Sequence, residues 1–312
     1  MTPTHISLLY SYFNLYFMFI LLQNQLFSAI SEFILLEFSD AKEIRILYFL
    51  AFLVFYLAAV TGNLLIILAI AFDHHLHTPM YFFLMNLATQ DLGQVSVIIP
   101  RPMANALMNT RNISYSECVT QVFFFISFTS SDFFLLTVMA YDRYIAICYP
   151  LQYEELMNKQ VCTRMIASVW VTGLVYGGLH AGGTFASSFC SNLLRLACSD
   201  TYLIEAGILS FSLVLGVGCI VFIIRSYVFI LISVFRIPST EGRQKAFSTC
   251  LPHLMVFSLF SFTGYFAHLK PFFNISSNFD LAFTMMYSLV PPIMNPVIYS
   301  MRSILFLHRN TL

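Results

Sequence analysis

Seven long apolar segments recur between Ile46 and Met301, at about 46–72, 79–100, 119–147, 164–184, 202–235, 246–269 and 280–301, separated by short polar stretches. A helix that crosses a bilayer needs about 20 mostly apolar residues at about 1.5 Å of rise each. The spacing therefore suits a spanning helix plus a short loop, repeated. With 59% of residues hydrophobic and only 10% charged, the chain has too few ionic groups to cover a soluble fold of its size. The expected fold is an all-α membrane protein, a seven-transmembrane helix bundle. No linker or charged tail sets off a second domain, so the bundle takes in residues 28–312. Residues 1–27 form an N-terminal extension with its own apolar run, Ile6 to Leu22. It reads as a signal-like segment, an extra span or translated upstream sequence; the lack of a basic n-region and of a small-residue cleavage site favours the last.

Bases near the span ends give the orientation. With the Asp142-Arg143 end inside, the inner side holds Arg143, Lys159, Arg164, Arg236, Arg243, Lys245, Arg302 and Arg309, and the outer side Lys42, Arg45, Arg101, Arg111, Arg195 and Lys270. The excess lies inside, as in cytoplasmic loops generally. An odd number of spans then puts the N-terminus outside and the C-terminus inside. Asn112-Ile113-Ser114 and Asn274-Ile275-Ser276 become outer-loop sequons, with Asn112 and Asn274 as glycosylation candidates.

Polar side chains within spans are costly, so each is a functional candidate. Asn63, Asp91, Asp132 and Asn295 fall in the first, second, third and seventh segments. Two carboxylates with two amides make a polar centre for a cation or a shared proton, or a hydrogen-bond network that fixes helix packing. Asn295-Pro296 removes a helix hydrogen bond and makes a compliant kink. Asp142-Arg143 closes the apolar run that starts at Val119. Taken alone, that pair reads as an interfacial anchor, with Arg143 snorkelling and Tyr141 and Tyr144 in the aromatic belt.

The longer words around these residues point further. MAYDRYIAICYPLQY (139–153) resembles the signature at the cytoplasmic end of the third helix in olfactory receptors, within the rhodopsin-like G-protein-coupled receptors. PMYFFL (79–84), KAFSTC (245–250) and NPVIY (295–299) are similar to further motifs of that branch, and the likeness runs from about Ser28 to Met301. It implies that Asp142, Arg143, Tyr144, Tyr227, Lys245, Asn295, Pro296 and Tyr299 serve activation and coupling to a heterotrimeric G protein of the olfactory type, which raises cyclic AMP. It also implies that Asp91 and Asp132 contribute, with Asn63 and Asn295, to a sodium-type pocket.

Helical periodicity puts Phe125, Ile126, Thr129 and Ser130 on adjacent faces of the third helix, outward of Asp132. By resemblance, this surface meets Phe211 and Leu215 of the fifth helix and Ser261, Tyr265 and His268 of the sixth, and together they line the ligand site. Such a surface is apolar with a few hydroxyls and no Lys or Arg, so it suits a small, volatile, mainly apolar odorant. The likeness also implies a disulfide from Cys118 to the second outer loop, through Cys190 or else Cys198, with the pairing of those two, leaving Cys118 free, as a further alternative; the spacing ahead of the fifth span favours Cys190. Three departures stand against the pattern: Phe260-Ser261-Phe262 in place of a Phe-Tyr-Gly, a short second outer loop lacking one cysteine, and a C-terminus without a lysine-rich start. They leave a non-signalling or impaired variant receptor as the alternative.

Other function classes find little in the sequence. A net charge of zero and no basic run exclude nucleic-acid binding. His74, His75 and His77 cluster in a loop, and the cysteines lack zinc spacing, so no metal or cofactor is expected. No Gly-rich phosphate loop, GxSxG or HExxH is present, and His180, His253 and His268 read as packing or loop histidines, so the chain is not expected to be an enzyme. A transporter would need inverted repeats and paired broken helices, which seven segments do not offer. The expected partners are an odorant, a G protein and membrane lipid, and the expected place is the plasma membrane, crossed several times.

Overall fold

A computed structural model of the chain describes residues 42–108, 114–193, 198–269 and 289–299. Among these residues the fold is carried by α1 (Lys42–Phe72), α2 (Pro79–Met108), α3 (Tyr115–Cys148), α4 (Lys159–Leu193), α5 (Cys198–Arg236), α6 (Thr240–Leu269) and α7 (Leu289–Tyr299). α2 is made of two pieces, Pro79–Ile98 and Pro100–Met108, which meet where Pro100 has no N–H to offer. No strand occurs among the described residues, and α1 to α5 each contain a segment long and apolar enough to cross a membrane.

The helices overrun the apolar segments because polar caps, not hydrophobicity, set their ends. Ser114 and Glu117 form a reciprocal capping box at the start of α3: the Glu117 N–H donates to Ser114 Oγ at 3.3 Å and the Ser114 N–H to Glu117 Oε2 at 3.0 Å. Asn158 Oδ1 accepts from the Val161 N–H at 3.0 Å ahead of α4, and Ser239 Oγ from the Gly242 N–H at 3.2 Å at the start of α6. Thr78, held extended before Pro79, starts α2 cleanly.

The radial pattern is that of a bundle in lipid. Leu47, Val54, Leu65, Val171 and Val214 are exposed, while Asn63, Gln90, Asp91, Asp132, His180 and His253 are buried. Hydrocarbon solvates such an exterior, and the polar groups must find partners within.

α3 is the hub, packed against α2, α4, α5 and α6. Its closest seam is with α4, through Gly173-x-x-x-Gly177. A Cβ at Gly173 would lie 2.8 Å from the Ser127 carbonyl oxygen, and one at Gly177 2.8 Å from that of Phe123. Small residues one turn apart let the two backbones meet, as in other membrane helix pairs. Inward of this seam, Leu135, Leu136 and Met139 pack with Phe83 and Leu87 of α2, Val169 of α4, Val256 of α6 and Ile298 of α7. α1 meets α7 at Gly62, where an added Cβ would stand 3.0 Å from the Pro296 ring.

Candidate functional site

Three polar layers lie along α3. The innermost is built on Asp142 and Arg143, both buried at the end of the helix. Arg143 Nε donates to Asp142 Oδ2 at 2.8 Å, and its terminal nitrogen reaches the same oxygen. The other carboxylate oxygen, Oδ1, accepts from the Tyr153 hydroxyl at 2.7 Å. Tyr153 belongs to the short helix Tyr153–Leu156 beyond α3. Burial and the nearby Asp142 carboxylate hold its hydroxyl above the usual tyrosine range, so it remains a donor. The pair is therefore closed on itself and braced from the loop. That corrects the reading of an interfacial anchor, since a snorkelling Arg143 would extend to solvent.

Beside this pair, Tyr227 of α5, His253 of α6 and the Leu136 carbonyl of α3 form a chain. His253 Nε2 is 3.0 Å from the Leu136 oxygen and Nδ1 is 2.6 Å from the Tyr227 hydroxyl. A carbonyl only accepts, so neutral His253 carries its proton on Nε2 and Tyr227 donates to Nδ1. Three helices are thus tied by one buried imidazole. From sequence alone His253 reads as a packing or loop histidine; its helical spacing of four from Phe257 and seven from Phe260, both packed on the α3 core, is the signal for more. Tyr144 lies elsewhere. It faces the α3–α5 flank, against Tyr149 and Phe229. Lys245 is exposed on the first turns of α6.

The middle layer gathers the four residues expected there. Asn295 Nδ2 donates to Asp91 Oδ2 at 2.8 Å, and Asn63 Nδ2 is 2.9 Å from both the Ala59 and the Pro292 carbonyl oxygens. Asp132 is buried near enough to Asp91 for their charges to act on each other. Asp132 Oδ1, Asn63 Oδ1, Asn295 Oδ1 and both ends of the Gln90 amide have no protein partner. Buried polar atoms in that number are where water, a proton or a small cation is accommodated. Pro296 sits in the same joint against Gly62, and Tyr299 is buried in the core below it.

The outer layer falls only partly within the described side chains. Phe125 and Ile126 are buried with Val122, Ala181 and Phe185, on the α4 side. Ser130 turns its hydroxyl back to the Ile126 carbonyl at 2.7 Å. Thr129 Oγ1 is buried without a protein partner, and Leu215 is half-buried. Phe211 is 54% exposed and Ser261 is also exposed. Their neighbours face inward: Ser212, one residue on from Phe211, is buried, and Phe260, one before Ser261, stacks on Phe133 of α3. A step of one residue turns a side chain by about 100° around a helix. Tyr265, His268, Cys190, Cys198, Asn112 and Asn274 lie outside the described side chains. Cys118 is half-buried near the start of α3.

One outer link is not foreseen by reading His180 as a packing or loop histidine. His180 of α4 is hydrogen-bonded through Nε2 to Ser212 Oγ of α5 at 2.7 Å, with the Tyr176 ring 4.2 Å away, centre to centre. Tyr176 and His180 are four residues apart, on one helix face, which is the pattern that could have exposed them.

Comparison with known proteins points to one family. The family described as 7 transmembrane receptor (rhodopsin family) matches residues 62–299. Olfactory receptor 14J1 of Homo sapiens is 43% identical over 88% of this chain and 90% of its own length. Olfactory receptor 14A16 of Homo sapiens is 42% identical over 88% and 93%, and Olfactory receptor 5AR1 of Mus musculus 41% over the same shares.

Proposed function

This chain belongs to the rhodopsin family of seven-transmembrane receptors and, within it, to the olfactory receptors, and from that premise we propose that it binds small, volatile, mainly apolar odorants and activates an olfactory-type stimulatory G protein. It is a receptor and not an enzyme, and it spans the plasma membrane several times.

The observation that carries the proposal is the paired inner layer. A buried Asp142–Arg143 pair braced by Tyr153, beside the Tyr227–His253–Leu136 chain, joins α3, α5 and α6 at the end where a G protein would dock. Such a network has a second state only if α6 moves away and the buried groups exchange partners. Binding energy gained at the outer half, around Thr129 and Leu215, and by proposal Tyr265 and His268, would shift that balance. Phe125, Ile126 and Ser130 then shape the wall behind Thr129. The middle layer of Asn63, Asp91, Asp132 and Asn295 holds a sodium-type cation or a shared proton in the resting state. Lys245, at the inner end of α6, and the Pro296 joint complete the coupling apparatus. The Cys118 disulfide to Cys190, or to Cys198, and glycans at Asn112 and Asn274 belong to the same proposal.

The test is cyclic AMP in cells that carry the receptor at a measured surface density, challenged with a broad odorant panel. At least one odorant should raise cyclic AMP above mock-transfected cells. Silence to the whole panel despite confirmed surface delivery would favour the non-signalling alternative.

A further inference from the structure

Arg225 is a cation that the signalling apparatus does not use. It stands on the exposed face of α5 among Val221, Ile224 and Val228, which are exposed and apolar as expected of a face toward lipid. Arg225 lines one cavity with Tyr149, the residue that caps the inner end of α3, so its long side chain reaches the inner face of the membrane. It lies 5.6 Å from the centre of the Phe229 ring, one turn nearer the inner face. Among the described residues the ion pairs join Arg101 to Glu117 and Arg143 to Asp142, and neither includes Arg225.

Beside it is a cavity of about 560 Å³ between α3 and α5, lined by Tyr141, Tyr144, Tyr149, Phe222, Arg225 and Phe229. Tyr144 donates its hydroxyl proton to Tyr149 at 3.4 Å, which leaves the Tyr149 proton directed to a further acceptor. Cys148 and Ser233, 3.2 Å apart, link the two helices at the inner end. A guanidinium does not discharge by losing its proton, and in lipid an unpaired one is costly. Its planar fork matches a phosphate, and the inner leaflet is where anionic phospholipids concentrate.

We propose that this flank binds an anionic phospholipid of the inner leaflet, its headgroup phosphate paired with Arg225 and accepting from Tyr149, and its acyl chains lying along Phe222 and the apolar ridge of α5. The lipid spans α3 and α5 next to Asp142, Arg143 and Tyr227, so it fastens together two of the helices that the inner layer ties. The inference goes beyond odorant recognition and needs only that the chain crosses the membrane.

The full chain would be purified in detergent with mixed phosphatidylcholine and phosphatidylserine, and the retained lipids read by native mass spectrometry. The wild type should retain phosphatidylserine over phosphatidylcholine. Arg225→Leu should lose that preference by roughly five- to tenfold, as expected for one basic contact, and Arg225→Lys should keep part of it. Millimolar inorganic phosphate should not displace the lipid. Equal retention by the wild type and Arg225→Leu, or displacement by free phosphate alone, would overturn the assignment. Should Arg225→Leu fail to fold, photo-crosslinking of the wild type with a phosphatidylserine probe decides the matter: adducts on the 141–149 and 222–229 segments support it, and adducts confined to other segments refute it.

Discussion

The two ends of α3 handle buried polarity in opposite ways. At the inner end, Asp142, Arg143, Tyr153, Tyr227 and His253 all have hydrogen-bond partners, in two sets that reach from α3 to the following loop and to α5 and α6. In the outer half, Ser127 and Ser130 turn back on their own helix, while Thr129 Oγ1 is buried with no protein partner. A satisfied network is rigid and has a definite alternative state; an unsatisfied hydroxyl gains from whatever molecule arrives to pair with it. The inner end is thus built to hold a state, and the outer half to accept a guest that changes it.

The severest way to break this contrast is at the seam that supports both halves. Gly177→Leu places a side chain where the Phe123 carbonyl of α3 already stands 2.8 Å from an added Cβ. Backbone cannot yield as a flexible side chain does, so a loss of about 3 kcal/mol or more is expected, with little receptor reaching the surface. Surface immunolabelling against total protein would check it, and normal delivery would mean that the seam is looser than described.

A second substitution attacks the inner end directly. Asp142→Ala leaves Arg143 buried without its carboxylate, which costs about 3–5 kcal/mol in comparable buried pairs. Part of that cost is relieved if Arg143 moves to the partner it takes in the active state, so basal cyclic AMP per surface receptor should rise several-fold. Unchanged basal signalling would show that the pair does not hold the resting state.

Tyr153→Phe removes one hydrogen bond to Asp142 and leaves the pair intact. About 1–2 kcal/mol is expected, and a smaller rise in basal signal than for Asp142→Ala. The Tyr153 hydroxyl is held protonated by burial and by Asp142, so this brace should be insensitive to pH across the physiological range. A basal signal that climbs between pH 6 and 8 in the wild type but not in Tyr153→Phe would contradict that.

The smallest change belongs to the outer half. Thr129→Val keeps shape and removes an unpartnered hydroxyl, so stability should change by less than about 1 kcal/mol. Potency should shift only among odorants that differ in their polar group. A uniform loss across all odorants, in step with surface density, would make Thr129 a packing residue.

The same contrast explains what was legible in the sequence. The inner residues sit in long fixed words, Met139 to Tyr153 and Lys245 to Cys250, so each position came with its neighbours and its role. The outer residues of α3 rest on helical phase and those of α5 and α6 on resemblance, and neither fixes which side chain meets a neighbouring helix: Ser212, next to Phe211, is the one held by His180. Helix ends lie beyond the apolar segments for a related reason. Hydrophobicity marks the portion in lipid, whereas α3 begins where Ser114 and Glu117 cap it. The bridging role of His253 is not legible because a histidine has no periodic signature of its own; only its neighbours Phe257 and Phe260 give its face away.

The most direct test of the central claim is nucleotide exchange on a purified stimulatory G protein, with the receptor in nanodiscs and an active odorant added, comparing wild type with Arg143→Ala at equal receptor density. The account predicts odorant-dependent exchange by the wild type and none above background by Arg143→Ala. Equal exchange by both would contradict it.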